Sequence, residues 1–496
     1  MAMATPEQTD ALLPVNTIYE LLFERNPKKD AVILVDAEVP ERFHTVASLE
    51  KRTLKFARIL QEKYDWKAGD VLAICARNNI DYVAVLHASV AIGGISAPVD
   101  HRTSAEDIAD SLRIIQAKLL VTDDTQKDIA SEAAKLANLP FKVITFEEIE
   151  ACLSDGTVRV AEPKRLSRQE RDTTPAFLYF TSGTTGGVKK AACLSQKNAI
   201  TYAVAMCMVP GGTCALSYVD FHHIGQLTQP CLHGIAAGVT YYVMNIESDF
   251  AKAPVGYDLS SLVEVRCAGD TVTPSLLTRF HEKHGIKIIP TYSLTEGGYV
   301  MAPSWGNALN GSSGRPAGSF ISVKLVDDYG KEVTPGEIGE ICIRSPMVAM
   351  GYYNNPEATS RAFDKEGYFH SGDLFRVAED GEYFFVGRRK HLFKYFNHHL
   401  YPEDIEQVLI EHPYVSDCCV AGINSAEHMT AMATAFVVLA KERTPMDKDI
   451  VEVRREIQEF VDGRVYDARR LRGGIFIERS HSTADDEKDM KSSKYL

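Results

Sequence analysis

The first third of the chain alternates short apolar runs with segments whose apolar residues recur at helical spacing. The apolar runs predict buried strands at 71–76, 95–99, 119–122 and 143–146. Between them, residues 81–91 carry apolar residues at helical spacing, residues 104–115 also predict a helix, and Gly93-Gly94 ends the first helix. Strands that alternate with helices are typical of a mostly parallel α/β sheet.

The pattern changes after residue 336. Glycine-rich turns separate short strands at 340–344 and 382–386, which predicts a small antiparallel β subdomain within 336–385. The last part of the chain predicts a small α+β unit, with helices at 402–411 and 449–461 and strands at 417–421 and 433–439. The sequence therefore predicts a large N-terminal domain over 1–388 and a small mobile C-terminal lid over 389–496.

Composition narrows the class of protein. A chain of 496 residues has room for roughly three folding units. Its 45% apolar and 24% charged residues exclude a wholly disordered, collagen-like or coiled-coil chain. The formal charge of −13 argues against a nucleic-acid partner but leaves room for a local basic pocket. The 10 cysteines are scattered, and we interpret them as reduced thiols.

Targeting signals are weak. Residues 1–14 lack the basic and apolar regions of a signal peptide, and no apolar window is long enough to predict a membrane span. The chain ends in Lys-Tyr-Leu, which does not fit the peroxisomal Ser-Lys-Leu address. We therefore predict a cytoplasmic location, with a peroxisomal one as the alternative.

The densest chemical signal is a loop rich in serine, threonine and glycine at 181–190. It follows the apolar strand residues Phe177 and Leu178. Its glycines let backbone N–H groups face an anion, its hydroxyls add donors, and Lys189 adds a positive charge. These are the properties of a polyphosphate cradle. The loop differs from GxxxxGK[ST], since its hydroxyls precede the lysine.

Five segments, in the order in which they occur along the chain, resemble the motifs of a known enzyme family. They are the loop at 181–190, Tyr292-Ser-Leu-Thr-Glu296, Gly336-Glu-Ile-Gly-Glu340 with Gly351-Tyr-Tyr-Asn-Asn-Pro356, Tyr368-Phe-His-Ser-Gly-Asp373, and Gly387-Arg-Arg-Lys390. Together they resemble the adenylate-forming (AMP-binding) superfamily of acyl-CoA synthetases, luciferases and peptide-synthetase adenylation domains. That resemblance implies ATP-dependent activation of a carboxylic acid to an acyl-adenylate with release of pyrophosphate.

The resemblance also implies where the nucleotide binds. Asp373 would accept both ribose hydroxyls, supported by Arg388, and Tyr292 would stack on the adenine. Glu296 would hold Mg²⁺, and Thr295 would hydrogen-bond the α-phosphate. The remaining implied nucleotide-binding residues are Thr181, Ser182, Gly183, Thr184, Thr185, Gly186 and Lys189 at the phosphates, Ala268, Gly269, Asp270 and Ser293 near the adenine, and Lys394 in the lid.

Two further residues are implied at the reacting carboxylate. His222 matches the histidine of the family's Phe-His-x-x-Gly motif, which lies beside the substrate carboxylate, although His223 could compete for that role. Lys491 falls where the family has a C-terminal lysine that binds the carboxylate and the α-phosphate. A cation at that point would bring two anions together and stabilise the developing charge.

Several departures from the family pattern keep alternatives open. Val188-Lys189-Lys190 replaces Pro-Lys-Gly, and Phe396-Asn397 stands where a glycine usually lines the coenzyme A tunnel. The segment between 245 and 257 is also short for the family. We expect an acyl- or aryl-CoA ligase that uses ATP, Mg²⁺ and coenzyme A on a small carboxylic acid. The alternatives are transfer to another acceptor, such as a carrier protein or an amine, and a catalytically weak adenylate-binding protein.

Overall fold

The computed structural model describes residues 13–138, 142–154, 157–181, 189–205, 212–245, 261–425, 427–440, 443–444 and 448–478. Six of the predicted site residues lie outside the described residues, namely Ser182, Gly183, Thr184, Thr185, Gly186 and Lys491. Both chain ends, on which the targeting predictions rest, also lie outside them. In the described part of the chain, none of the helices combines the length and the apolar character needed to cross a bilayer.

The centre of the N-terminal region is a seven-stranded sheet. Its strands lie in the spatial order Gly351–Tyr352, Lys190–Ser195, Pro175–Thr181, Ile95–Pro98, Val71–Cys75, Leu119–Thr122 and Lys142–Thr145. The last five run parallel to one another. At one edge, Lys190–Ser195 pairs antiparallel with Pro175–Thr181, and Gly351–Tyr352 pairs antiparallel with Lys190–Ser195. The strands predicted from the four apolar runs are therefore confirmed to within one residue at each end.

Helices cover both faces of this sheet. Tyr82–Ala91 is buried along its whole length, which explains why its sequence is apolar on every side. Ala105–Ile115 packs on the opposite face and begins at Ser104, whose side chain accepts a hydrogen bond from the Asp107 amide. The other α-helices of this region are Val46–Tyr64, Lys127–Ala137, Phe146–Leu153, Arg168–Thr173, Gln196–Ala205, Pro274–His284, Trp305–Ala308 and Pro356–Ala362.

A second sheet of four strands packs beside the first. It has the order Phe43–Thr45, Val32–Asp36, Thr240–Val243 and Cys214–Ser217. The chain leaves it through 218–223 and then forms a short helix at Ile224–Gln226, a π-helical segment at Leu227–Gly234 and a further turn at Ile235–Ala237. Two smaller sheets follow, with strands at Glu264–Cys267, Lys287–Pro290, Tyr292–Leu294, Gly298–Ala302 and Arg315–Pro316.

The predicted small β subdomain is confirmed as an antiparallel sheet of four strands. They are Ser322–Val326, Ile338–Arg344, Phe369–Val377 and Tyr383–Arg388, in that spatial order. The last two strands pair so that Asp373 lies directly opposite Arg388. The sheet thereby brings together two residues that the resemblance assigns to the nucleotide.

The C-terminal region has its own apolar core. Helices Pro402–Leu409 and Ile450–Asp462 pack on a sheet of Val415–Ser425, Thr430–Leu439 and Gly474–Glu478, as the sequence predicts for an α+β unit. A small hairpin of Phe393–Tyr395 and His398–Leu400 precedes it. The α/β fold class with a small C-terminal unit is confirmed. The boundary after residue 388 and the mobility of the lid stay predictions.

Candidate active site

A buried carboxylate lies at the end of the small β sheet. Asp373 is 4% exposed and accepts a hydrogen bond from the Tyr292 hydroxyl, with 2.7 Å between Tyr292 Oη and Asp373 Oδ2. Arg388 Nε lies 3.5 Å from the other carboxylate oxygen, Oδ1. Burial raises the pKa of Asp373, while the positive charge of Arg388 and the Tyr292 hydrogen bond act in the opposite direction. This carboxylate is held between a phenol and a guanidinium.

The segment predicted to face the adenine lies next to Tyr292. Ala268, Gly269 and Asp270 follow the strand Glu264–Cys267 and are exposed. The Thr291 amide donates to the Cys267 carbonyl at 2.8 Å, so these three residues and Tyr292 leave neighbouring strand ends. Ser293 is half-buried in the strand that begins at Tyr292. Residues 268–270 therefore lie beside the strand end that leads to Tyr292, which is the hydrogen-bond donor to Asp373.

A second buried carboxylate follows four residues after Tyr292. Glu296 is 8% exposed and accepts a 2.7 Å hydrogen bond from the Tyr352 hydroxyl. Lys190 Nζ lies 4.9 Å from the centre of the Tyr352 ring. Burial raises the pKa of Glu296, and the Tyr352 hydrogen bond and the charge of Lys190 oppose that rise. Thr295 lies in the turn just before Glu296.

The two adjacent lysines at the end of the predicted phosphate loop have different neighbours. Lys189 Nζ donates to the Asp107 carbonyl at 3.0 Å and lies 3.3 Å from an oxygen of the Asp107 carboxylate, on the helix Ala105–Ile115. Lys190 begins the next strand, opposite Thr181, the buried last residue of the strand that enters the loop. Lys190 is therefore the lysine beside the Glu296–Tyr352 pair, and the assignment of Lys189 to the phosphates stays a prediction.

His222 lies in a polar cluster beyond the ends of the parallel strands. Its Nε2 accepts a hydrogen bond from Arg102 Nη2 at 3.4 Å and lies 3.5 Å from Asp100 Oδ2. Burial lowers the pKa of His222 to about 4, so the ring is neutral at pH 7. His223 instead accepts a hydrogen bond from the Gly225 amide through Nδ1 and begins the short helix there. Of the two histidines, His222 has the more polar surroundings.

Two groups of side chains resemble metal-ligand sets but do not fit a metal ion. The possible ligand atoms of Asp100, His101 and His222 lie within 4.8 Å of one another. The guanidinium of Arg102 already contacts the Asp100 and His222 atoms, so a cationic group occupies this position. In the second group, Glu340, Cys342 and His370, the Glu340 carboxylate already contacts His370 Nδ1 at 3.2 Å and lies 3.5 Å from the guanidinium of Arg389, so a cationic group occupies this position too.

Glu296 is a better candidate for a metal ligand. It is a hard oxygen donor, as Mg²⁺ prefers, and one of its oxygens is oriented by the Tyr352 hydroxyl.

Lys394 is not brought to the other predicted nucleotide-binding residues by any described side-chain contact. It is exposed on the first strand of the hairpin Phe393–Tyr395, and its carbonyl accepts from the Thr430 hydroxyl at 3.2 Å. Phe396, at the tip of that hairpin, has φ of +49° and is 56% exposed. A bulky side chain is rarely found in this left-handed region.

Sequence reasoning missed three residues of this site. Tyr352 lies in the segment 351–356, whose motif carries the resemblance but assigns no role to this tyrosine, and the sequence pattern favours Lys189 over Lys190. Arg102 carried no signal at all, because its partners Asp220 and His222 lie about 120 residues away in the chain.

Comparison with known proteins gives a consistent result. A sequence model described as AMP-binding enzyme matches residues 22–255 and 241–353, and one described as AMP-binding enzyme C-terminal domain matches residues 404–485.

Individual relatives span almost the whole chain. The chain is 26% identical to a probable 4-coumarate–CoA ligase 2 of Dictyostelium discoideum, covering 95% of this chain and 94% of that protein. It is 27% identical to the luciferin 4-monooxygenase of Photinus pyralis, covering 87% and 84%. The fold matches the crystal structure of ATP-bound MatB from Rhodopseudomonas palustris with a TM-score of 0.78 at 20% identity, covering 94% and 95%. The chain therefore belongs to the AMP-binding enzyme family.

Proposed function

We propose that this protein uses ATP to convert a small carboxylic acid to an acyl-adenylate, releases pyrophosphate, and passes the acyl group to the thiol of coenzyme A. The observation that carries this proposal is the pair of buried carboxylates, Asp373 and Glu296, held on either side of the segment that begins at Tyr292. Burying two carboxylates is costly and is typical of sites that bind polar or charged ligands.

Asp373 is suited to bind the ribose. A carboxylate has two oxygens and can accept from two neighbouring hydroxyls at once. Tyr292 and Arg388 orient it, and Arg388 is also tied to the C-terminal unit through its amide, which donates to Glu403 at 3.2 Å. In this proposal the adenine lies between the aromatic face of Tyr292 and the segment 268–270.

Glu296 is suited to the phosphate end of ATP. Bound there, Mg²⁺ would neutralise phosphate charge. Glu296 would hold it, Tyr352 would orient the carboxylate, and Thr295 would hydrogen-bond the α-phosphate. Lys190 would add a positive charge on the same side, near the developing charge of pyrophosphate. The loop at 181–186 and Lys189 remain the proposed cradle for the other phosphates.

His222 and Lys491 are the proposed groups at the reacting carboxylate. His222 is neutral at pH 7, so it carries one N–H that can donate a hydrogen bond to a carboxylate oxygen. Lys491 would bring the carboxylate and the α-phosphate together during adenylation.

Coenzyme A is the proposed acceptor because relatives that match 95% of this chain are named as probable 4-coumarate–CoA ligases. One observation favours a second candidate, which is a different acyl acceptor such as a carrier-protein thiol. Phe396 projects from the hairpin tip in a left-handed conformation, at the position where the resemblance places a glycine beside the tunnel.

The test is a product assay with the full chain, ATP and Mg²⁺. Fatty, aryl and amino acids are each incubated without acceptor, with coenzyme A, and with a pantetheinylated carrier protein. Mass spectrometry follows AMP, acyl-AMP and the thioester. We expect acyl-AMP with one class of acid and a thioester only when coenzyme A is present. A thioester formed only on the carrier protein would establish the second candidate. Absence of acyl-AMP and of AMP with every acid would contradict the proposal.

A further inference from the structure

The polar cluster around His222 lies at a crevice of the central sheet. The neighbouring parallel strands Val71–Cys75 and Ile95–Pro98 are followed by helices on opposite faces, Tyr82–Ala91 and Ala105–Ile115. Where successive connections leave a sheet on opposite faces, a crevice opens beyond the carboxyl ends of the strands, and ligands bind there. The cluster therefore lies where this architecture exposes a binding site.

One asparagine fixes the loop that carries His222 over this crevice. Asn78, just after Val71–Cys75, donates from Nδ2 to the Val219 carbonyl at 2.9 Å. Its Oδ1 accepts from the Phe221 amide at 2.9 Å. Because both bonds involve the backbone on either side of Asp220, the neighbouring His222 is held in place relative to the strand ends.

Arg102 connects the two sides of the crevice. Its Nε lies 3.2 Å from Asp100 Oδ1, and its Nη1 lies 3.1 Å from Asp220 Oδ2. The third nitrogen, Nη2, donates to His222 Nε2 at 3.4 Å. The planar guanidinium thus contacts a carboxylate on each side and directs one N–H of its third nitrogen at the imidazole.

This contact favours a proton on Nδ1 of His222, against the opposing effect of Asp100 Oδ2, which lies 3.5 Å from Nε2. A guanidinium can only donate, so His222 Nε2 must accept, and the single proton of the neutral ring lies on Nδ1. In the part of the chain that the structure describes, Nδ1 is buried and has no hydrogen-bond partner. A buried N–H without an acceptor is rare in proteins and indicates a donor that awaits a ligand.

We propose that Arg102 is a positioning residue that, braced by Asp100 and Asp220, holds His222 in its Nδ1–H form and so presents one N–H to an oxygen of the substrate carboxylate. The inference rests on the proposed function for the identity of that oxygen. The assignment of the proton does not depend on it.

Four titratable or charged groups face His222, namely Asp100, Asp220, Arg102 and His101. Burial is the main cause of its lowered pKa, the two aspartates raise that pKa, and Arg102 and His101 lower it further. Replacing Arg102 by glutamine removes a positive charge and leaves both aspartates. The pKa of His222 then rises, and Asp100 Oδ2, 3.5 Å from Nε2, becomes the acceptor for an Nε2 proton.

The first test reads the proton position directly. The full chain is labelled with ring-¹⁵N histidine, and the His222 signals are identified by their loss in His222→Asn. We expect the Nδ1–H form in the unmodified protein and a change to the Nε2–H form, with a higher pKa, in Arg102→Gln. An Nε2–H form in the unmodified protein, or no change in Arg102→Gln, would overturn the proposal.

The matched control is Arg42→Gln. Arg42 also bridges two carboxylates, with nitrogens 3.1 Å from Asp36 and 3.3 Å from Asp81, and its side chain is 55% exposed against 57% for Arg102. It makes no contact with His222. The control therefore removes an equivalent pair of ionic contacts and leaves the histidine signals unchanged.

The second test uses carboxylate-dependent ATP–pyrophosphate exchange. We expect Arg102→Gln to lower kcat/KM for the acid by about 100-fold, to leave KM for ATP unchanged, and to move the acidic limb of the rate profile to higher pH. We expect Arg102→Lys to recover part of the rate, because it restores the positive charge but cannot make the three guanidinium contacts at once. An unmoved acidic limb, or an equal loss in Arg42→Gln, would refute the role. If no acid supports exchange in the unmodified protein, the proposed function fails, while the NMR result still decides the role of Arg102.

Discussion

The hydrogen bond between Tyr292 and Asp373 gives a quantitative prediction for nucleotide binding. The Tyr292→Phe change removes the hydroxyl that donates to Asp373 Oδ2 at 2.7 Å and alters little else in the packing. A hydrogen bond to a charged group is worth about 1.5–3 kcal/mol. Asp373 is 4% exposed, so water cannot readily replace the lost donor, and Arg388 Nε at 3.5 Å remains near the carboxylate.

We therefore expect Tyr292→Phe to weaken ATP binding by about 10- to 150-fold, because about 1.4 kcal/mol corresponds to a tenfold change. The assay is calorimetric titration of the full chain with ATP and Mg²⁺. The control is Tyr19→Phe, which also removes a hydroxyl bonded to a carboxylate, that of Glu50 at 2.8 Å, far from the site in sequence. We expect the control to leave the ATP affinity unchanged.

A double-mutant cycle makes the reasoning refutable. If Tyr292 acts through Asp373, the effects of Tyr292→Phe and Asp373→Asn on ATP affinity are not additive, and their interaction energy is about 1–3 kcal/mol. Fully additive effects, or an unchanged affinity in Tyr292→Phe, would show that the hydrogen bond does not prepare Asp373 for the nucleotide.

Four further predictions follow from particular contacts. Lys190→Met should lower the rate of ATP–pyrophosphate exchange by about 100-fold, and Lys189→Met should lower it less, because Lys189 is bound to a helix in the structure. Gly314→Ala should lower the free energy of unfolding in urea by about 3 kcal/mol, because φ is +93° and the new Cβ would lie 2.1 Å from backbone atoms. Phe396→Gly should relieve the left-handed strain and raise the rate of transfer to coenzyme A, measured as thioester formation, without changing exchange. Asp373→Asn should stabilise the protein at neutral pH and not at acid pH, as followed by urea unfolding. Burial raises the folded pKa, so the stability of the protonated wild-type form is lost as pH rises through that value.

The sequence predicts best those strands and helices that depend on residues only a few positions apart in the chain. The strands at 71–75 and 119–122 and the helix at 105–115 were predictable, since apolar spacing and a capping serine act within a few residues. Asp373 and Glu296 were predictable by another route, because their motifs resemble those of the family. Their burial and their hydrogen bonds could not be read from the chain.

The rest depended on contacts between distant segments. Tyr352 reaches Glu296 across 56 residues, and Arg102 reaches His222 across 120. No periodicity marks such pairs, because the folded strand ends bring them together. For a related reason, the sequence does not show which of Lys189 and Lys190 lies beside the Glu296–Tyr352 pair. Side chains of adjacent residues near a strand point to opposite faces, and the sequence does not say which face meets the site.

The central claim is that the chain forms an acyl-adenylate, and the measurement that tests it most directly is isotope exchange between ATP and pyrophosphate. The reaction is run with Mg²⁺ and individual carboxylic acids, without any acyl acceptor, for the unmodified protein and for Glu296→Gln. We predict exchange that requires one class of acid and that falls by at least about 100-fold in the variant. Exchange that is independent of any acid, or no exchange with any acid while ATP still binds, would contradict the account.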